Sequence, residues 1–203
     1  MNPRQIDRFF GILARELDQP VTVILTGAAA GSLFGHVRPS RDIDFAIRPA
    51  RRGASQWQRI EEAIAHATQR SGISVNYAED IDRWGAISLM DYARHTLPYR
   101  RFGNVRVQLL DPAYWSIGKI SRYLDPDVQD LIGVLSRHPV PAQRLLKIWA
   151  RALRASPRST ASTMFRRQAE HFLRTYGMRI WGKRFNAERS IKKFQELLAD
   201  SHA

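Results

Sequence analysis

Residues 21–47 constrain this chain more than any other stretch. Val21-Thr22-Val23-Ile24-Leu25 is a short apolar run rich in β-branched residues, which reads as a strand, and it stops at Thr26-Gly27. Ala28-Ala29-Ala30 with Leu33-Phe34 reads as a helix closed by Gly35. A polar loop, His36 to Arg41, then leads into Asp42-Ile43-Asp44-Phe45-Ala46-Ile47, a second strand. Strand side chains alternate faces, so Asp42 and Asp44 point one way while Ile43, Phe45 and Ile47 face the core. Two carboxylates held side by side repel each other unless something positive lies between them. A divalent cation meets that need, and Mg²⁺ takes one or two carboxylates together with phosphate oxygens. The competing reading makes Asp42 and Asp44 ordinary edge-strand acids and Gly27 a turn glycine. Asp is disfavoured in strands, however, so two in one short strand want a reason.

The rest of the chain supplies partners for these two strands. Ile6, Phe9-Phe10, Leu13 and Leu17 recur at helical spacing, which predicts an amphipathic helix over 3–18, ended by Pro20. A second helix is expected over 55–71, with Trp57, Ile60, Ala63-Ile64 and Ala67 on one face and Gly72 as its stop. Ile73 to Tyr77 alternates as a half-buried strand does. Residues 97–102 and 105–110 flank Gly103-Asn104, a hairpin signal, and should share one mixed sheet with Asp42 and Asp44. Asp111-Pro112 reads as a helix cap followed by proline at the first helical position. Helices follow over 112–124 and 127–137. From Val140-Pro141 onward the chain is helical nearly to its end, with many arginines and lysines outside and Trp149, Phe165, Phe172, Tyr176, Trp181, Phe185 and Phe194 as the packing face.

The pattern predicts an α/β (α+β) fold: a mixed sheet flanked by helices, with a helical subdomain at the C-terminal end. Core and basic helical subdomain divide at 138/139, giving 1–138 and 139–203. At 203 residues with 44% hydrophobic content, the chain can bury a sizeable core. No apolar run approaches a membrane span, and no apolar stretch follows Met1 as a secretory signal requires. Zero cysteines exclude disulfides, thiolate catalysis and cysteine-ligated zinc. The expected location is cytoplasmic, with no membrane partner. Lysine plus arginine number 32 against 19 acids, a formal charge of +13 that favours polyanions, nucleic acid first among them. Solubility, or a genome that encodes arginine freely, also accounts for such a balance.

Strand, Gly-small residue, helix, loop and Asp-x-Asp on a second strand resembles the nucleotidyltransferase superfamily, the polymerase-β-like fold. Here the motif is Thr26-Gly27-Ala28, thirteen intervening residues, and Asp42-Ile43-Asp44. It is most similar to the minimal bacterial members, including the AbiEii and MenT toxin-type enzymes, over roughly 21–135. The resemblance implies transfer of NMP from an NTP to an acceptor hydroxyl with Mg²⁺ or Mn²⁺ held by Asp42 and Asp44. It implies that backbone N–H groups at Gly27 and Ala28 meet phosphates. Ala28 keeps the small size of the family's usual Ser or Gly but lacks a hydroxyl. Arg41 and Arg38 flank the loop before Asp42, where they meet phosphate or nucleic acid, or are solvated loop charges.

Lys119, with Asp127 and Asp130 after it, resembles the segment in which a lysine contacts the triphosphate and a downstream acid supports the site. In the other reading Asp127 and Asp130 cap and solubilise a helix, and Lys119 is a surface charge. The family places a third carboxylate on a strand in the region 105–110, where this chain has Gln108. A neutral amide binds metal more weakly than a carboxylate does.

The favoured acceptor is tRNA or another RNA 3′ end, and the role suggested by the resemblance is the toxin half of a toxin–antitoxin pair, with an antitoxin protein as partner. The alternatives are transfer to a small molecule or protein hydroxyl, and a degenerate member that binds nucleotide or nucleic acid without catalysis.

Overall fold

The computed structural model describes residues 1–35, 40–50, 53–138 and 140–199. It is an α+β fold with a five-stranded mixed sheet flanked by helices and a helical C-terminal part. The chain forms two compact units. The first takes residues 1–81 and 93–110, the second 82–92 and 111–203. The composition-based division at 138/139 therefore falls inside the second unit.

In the first unit α1 (Pro3–Glu16) starts where the Asn2 side chain accepts the Gln5 N–H at 3.0 Å and the Gln5 side chain accepts the Asn2 N–H at 2.8 Å. This reciprocal cap satisfies two otherwise orphaned donors. Its apolar stripe, Ile6, Phe9, Phe10 and Leu13, is fully buried. The chain continues as β1 (Val21–Leu25), α2 (Gly27–Leu33), β2 (Asp42–Pro49), α3 (Ala54–Ser71) and β3 (Ser74–Ala78). A two-stranded hairpin of the second unit, β4 (Arg83–Trp84) and β5 (Ile87–Ser88), precedes the return of the chain as β6 (Thr96–Phe102) and β7 (Val105–Leu110).

The sheet order is β3-β2-β1-β7-β6. β1 runs antiparallel to β2 and parallel to β7, while β2 and β3 are parallel and β6 and β7 antiparallel. Pro98, which has no N–H for a ladder, sits on the edge strand β6 beside an irregularity in its pairing. Ile43, Phe45 and Ile47 are buried on the face that meets α1. There Phe9 and Phe10 approach the Phe45 ring at 6.1 and 5.7 Å, and Tyr77 of β3 stacks on it at 6.0 Å. Burying each such side chain is worth about 1.5–3 kcal/mol, which fixes the register of β2 and with it the side on which Asp42 and Asp44 emerge.

The second unit is built from β4, β5, α4 (Pro112–Arg122), α5 (Asp125–Arg137), α6 (Ala142–Arg154), α7 (Thr160–Trp181) and α8 (Ala187–Ala199). Asp111 caps α4, accepting the Ala113 N–H at 2.9 Å with Pro112 next, as its sequence signature predicts. Trp149 is fully buried between Phe172 and Phe194, edge-on to both, and donates its indole N–H to Ser116 Oγ at 2.9 Å. Trp84 of β4 lies on α4 where Gly118 leaves room: a Cβ at that glycine would come within 2.9 Å of the indole. Among the described residues, no helix is long and apolar enough to cross a membrane.

Candidate functional site

The carboxylates of Asp42 and Asp44 share one face of β2, and both residues are half-buried. Between them lies Asn76 of β3, whose Nδ2 donates to Asp42 Oδ2 and to Asp44 Oδ1, each at 2.9 Å. Parallel pairing sets this up, because Asp42 aligns with Ser74 and Asp44 with Asn76. Ser40 secures the entrance to the strand: its hydroxyl donates to the Asp42 carbonyl at 2.6 Å and lies 3.4 Å from Asp42 Oδ1. The Thr26 N–H donates to the Asp44 carbonyl at 2.9 Å, so the turn after β1 is tied to the residue that bears the second carboxylate.

Gly27 closes the other side. It has φ +61°, a left-handed conformation that only glycine adopts freely, and a Cβ there would stand 1.9 Å from Asp44 Oδ2. The turn needs glycine twice over, for its backbone and for the carboxylate pressed against it. Ala28 follows, half-buried in the first turn of α2. Arg41 is exposed at the residue before β2, and Arg38 lies outside the described residues.

Gln108 is on β7, not beside the aspartates. It pairs with Ile24 of β1, which itself pairs with Ala46, so a whole strand separates Gln108 from β2. Its Oε1 accepts from the Thr96 hydroxyl at 3.2 Å. The side chain that adjoins both carboxylates is Asn76, a residue that carries no site signal in the sequence. Alternation within residues 73–77 already put Asn76 on the outward face. What was missing is the parallel register that α3 sets between β2 and β3.

Lys119 and Asp130 occur in a different setting, within the second unit. Lys119 Nζ donates to Asp130 Oδ2 at 2.6 Å and to Asp127 Oδ1 at 3.1 Å, with side-chain exposures of 3, 0 and 2% for Lys119, Asp130 and Asp127. Arg122 adds two further bonds to Asp127, from Nε at 3.2 Å and Nη2 at 2.6 Å. The Trp115 ring lies 5.3 Å from the ammonium. Asp127 is thus no helix cap: the N-cap of α5 is Leu124, and the Asp127 side chain turns inward to two cations. The surface-charge reading of Lys119 fails for the same reason. Buried charges of these types are rare unless paired, and here the pairing is complete on the cationic side.

As a metal site the first cluster offers two carboxylates on one face, bridged by the Asn76 amide. That oxygen set suits Mg²⁺, which is commonly bound through one or two carboxylates with the remaining positions left to water and phosphate. Among the described residues there is no group of three or more His, Cys, Asp or Glu side chains placed for a metal, so Asn76 has no carboxylate counterpart at this site. No protein-family model matches the chain, nor does any curated protein or solved structure.

Proposed function

We propose that the chain is a nucleotidyltransferase that moves NMP from an NTP to an acceptor hydroxyl, with an RNA 3′ end as the favoured acceptor. The observation that carries this reading is the Gly27–Asp44 contact. A left-handed glycine packed against one carboxylate of an Asp-x-Asp pair joins the turn and the strand motif into one site. In the transfer, the acceptor oxygen bonds to the α-phosphorus, the bond to pyrophosphate breaks, and the hydroxyl proton passes to solvent. Asp42 and Asp44 would hold the divalent cation, and Asn76, which donates to both carboxylates, fixes them relative to each other. Mg²⁺ bound there supplies charge neutralisation for the phosphoryl oxygens. Arg41, exposed just before β2, would supply a phosphate contact. Lys119 and Asp130 are assigned to holding α4 against α5, since the ammonium is committed to two buried carboxylates.

The formal charge of +13 supports an RNA acceptor, and tRNA is the specific candidate. A toxin role with an antitoxin protein rests on the sequence resemblance alone. A second reading, nucleotide binding without catalysis, is favoured by one specific feature, the neutral amide of Asn76 beside the pair. Incubation with Mg²⁺, α-labelled NTPs and total RNA separates the two. Transfer leaves label on RNA in a denaturing gel, and Asp42→Ala and Asp44→Ala remove it while the fold persists. NTP binding with no covalent label on RNA, protein or small molecule would establish the second reading.

A further inference from the structure

The face of the sheet that carries Asp42 and Asp44 also carries a row of arginines. Arg48 of β2 pairs with Thr22 of β1, Thr22 with Arg106 of β7, and Arg106 with Arg101 of β6. Directly opposed residues project to the same side, so one line across four strands reads Arg48, Thr22, Arg106, Arg101. These residues line a cleft of about 470 Å³ together with Gln108 and Glu79. Three guanidinium groups thus meet one carboxylate. Arg101 donates Nε–H to the Gly103 carbonyl at 2.9 Å, which steadies its side chain, and Arg101 and Arg106 are exposed while Arg48 is half-buried. Like charges directly opposite each other on neighbouring strands destabilise a sheet, and an anion lying over the row reverses that cost. Arginine's planar fork suits phosphate in particular.

Resting on the nucleotidyl-transfer reading, we propose that this cleft holds the sugar–phosphate backbone of the RNA acceptor upstream of its reacting end. The spacing fits. Arg48 is four residues beyond Asp44 on the same strand, about 13 Å at ~3.3 Å per residue. A stacked strand covers that distance in about four nucleotides at ~3.4 Å each. The row runs across the strands, about 14 Å for three strand gaps, so it spans more than one phosphate. Length therefore decides binding: an oligonucleotide too short to reach from Asp44 to the row loses these contacts.

The test uses the full chain with single-stranded RNAs of about three and about ten nucleotides, read by fluorescence anisotropy across a salt series. The longer RNA is expected to bind at least tenfold more tightly. Arg48→Gln with Arg106→Gln should remove that advantage and make the log–log salt slope shallower by about 1.4, at ~0.7 per lost phosphate contact. Mg·NTP affinity should stay as in the parent protein. Should the double variant lose its circular-dichroism signature, Arg106→Gln alone, at an exposed position, reads half the slope change. An undiminished length advantage in the variants overturns the proposal. So does a loss of Mg·NTP affinity with RNA binding intact, which would give the arginines to the nucleotide. Because the readout is binding, failure of NMP transfer in the gel assay leaves the cleft result standing, and the two claims fail separately.

Discussion

Each unit of this protein holds a pair of aspartates, and the two pairs are solved differently. Asp127 and Asp130 are almost wholly buried, and an ammonium from Lys119 lies between them, with Arg122 completing the charge balance. Asp42 and Asp44 are half-buried, and the group between them is the neutral amide of Asn76. Burying two carboxylates without cations would cost several kcal/mol apiece, so the inner pair carries its counter-charges in the chain. The outer pair remains within reach of ions and ligands, and the amide between them organises their oxygens without neutralising them. Similar motifs in sequence, two aspartates a few residues apart near basic residues, thus serve stability in one unit and present an oxygen-donor site in the other.

The largest effect should come from breaking the inner pair. Lys119→Met leaves two buried carboxylates with only the half-exposed Arg122 nearby, and removing one partner of a buried ion pair costs about 3–5 kcal/mol. Urea denaturation should show that loss as a lower midpoint. A variant as stable as the parent, but with weakened Mg·NTP binding, would return Lys119 to the nucleotide site.

The contrast also explains what was legible in the sequence. The face carrying Asp42 and Asp44 followed from alternation, because the apolar residues between them had to reach a core. The hairpin at Gly103-Asn104 and the cap at Asp111-Pro112 were local signals of the same kind. Asn76 was not legible as a neighbour, since parallel pairing across α3 leaves no local mark of register. Gln108, which the resemblance sets where the family has its third acid, lies on a strand that has β1 between it and β2. Spacing groups Lys119, Asp127 and Asp130 but hides their burial, because charged residue types point by default to the surface. The composition boundary and the boundary between compact units differ for a related reason. Basic composition changes after residue 138, whereas compactness follows the apolar faces that join α4 and α5 to α6 and α7.

The outer pair depends on backbone geometry more than on ion pairing, and Gly27→Ala tests that. A non-glycine residue at φ +61° costs on the order of 1–3 kcal/mol, and the new methyl must displace the Asp44 carboxylate from a position 1.9 Å away. Thermal unfolding should report a lower midpoint, and calorimetric titration should report lost Mg·NTP binding. Retained binding would mean that Asp44 has room to move, and the Gly27 contact would no longer define the site.

The smallest and most informative change is Asn76→Asp. It replaces the amide donor by a third carboxylate beside Asp42 and Asp44, converting two 2.9 Å hydrogen bonds into like-charge contacts. Asn76 is exposed, so water screens the repulsion, and the loss of stability without metal should stay below about 1 kcal/mol, the range for cross-strand pairs. Divalent cations should do the opposite, since a third carboxylate strengthens an oxygen site for Mg²⁺ or Mn²⁺. The comparison to make is therefore the shift in melting temperature on adding Mg²⁺, variant against parent. A larger shift in the variant locates the cation among these three side chains. An equal shift would put the ion elsewhere, and Asn76 would then be a structural bridge between β2 and β3, closer in kind to Lys119 than its exposure suggests.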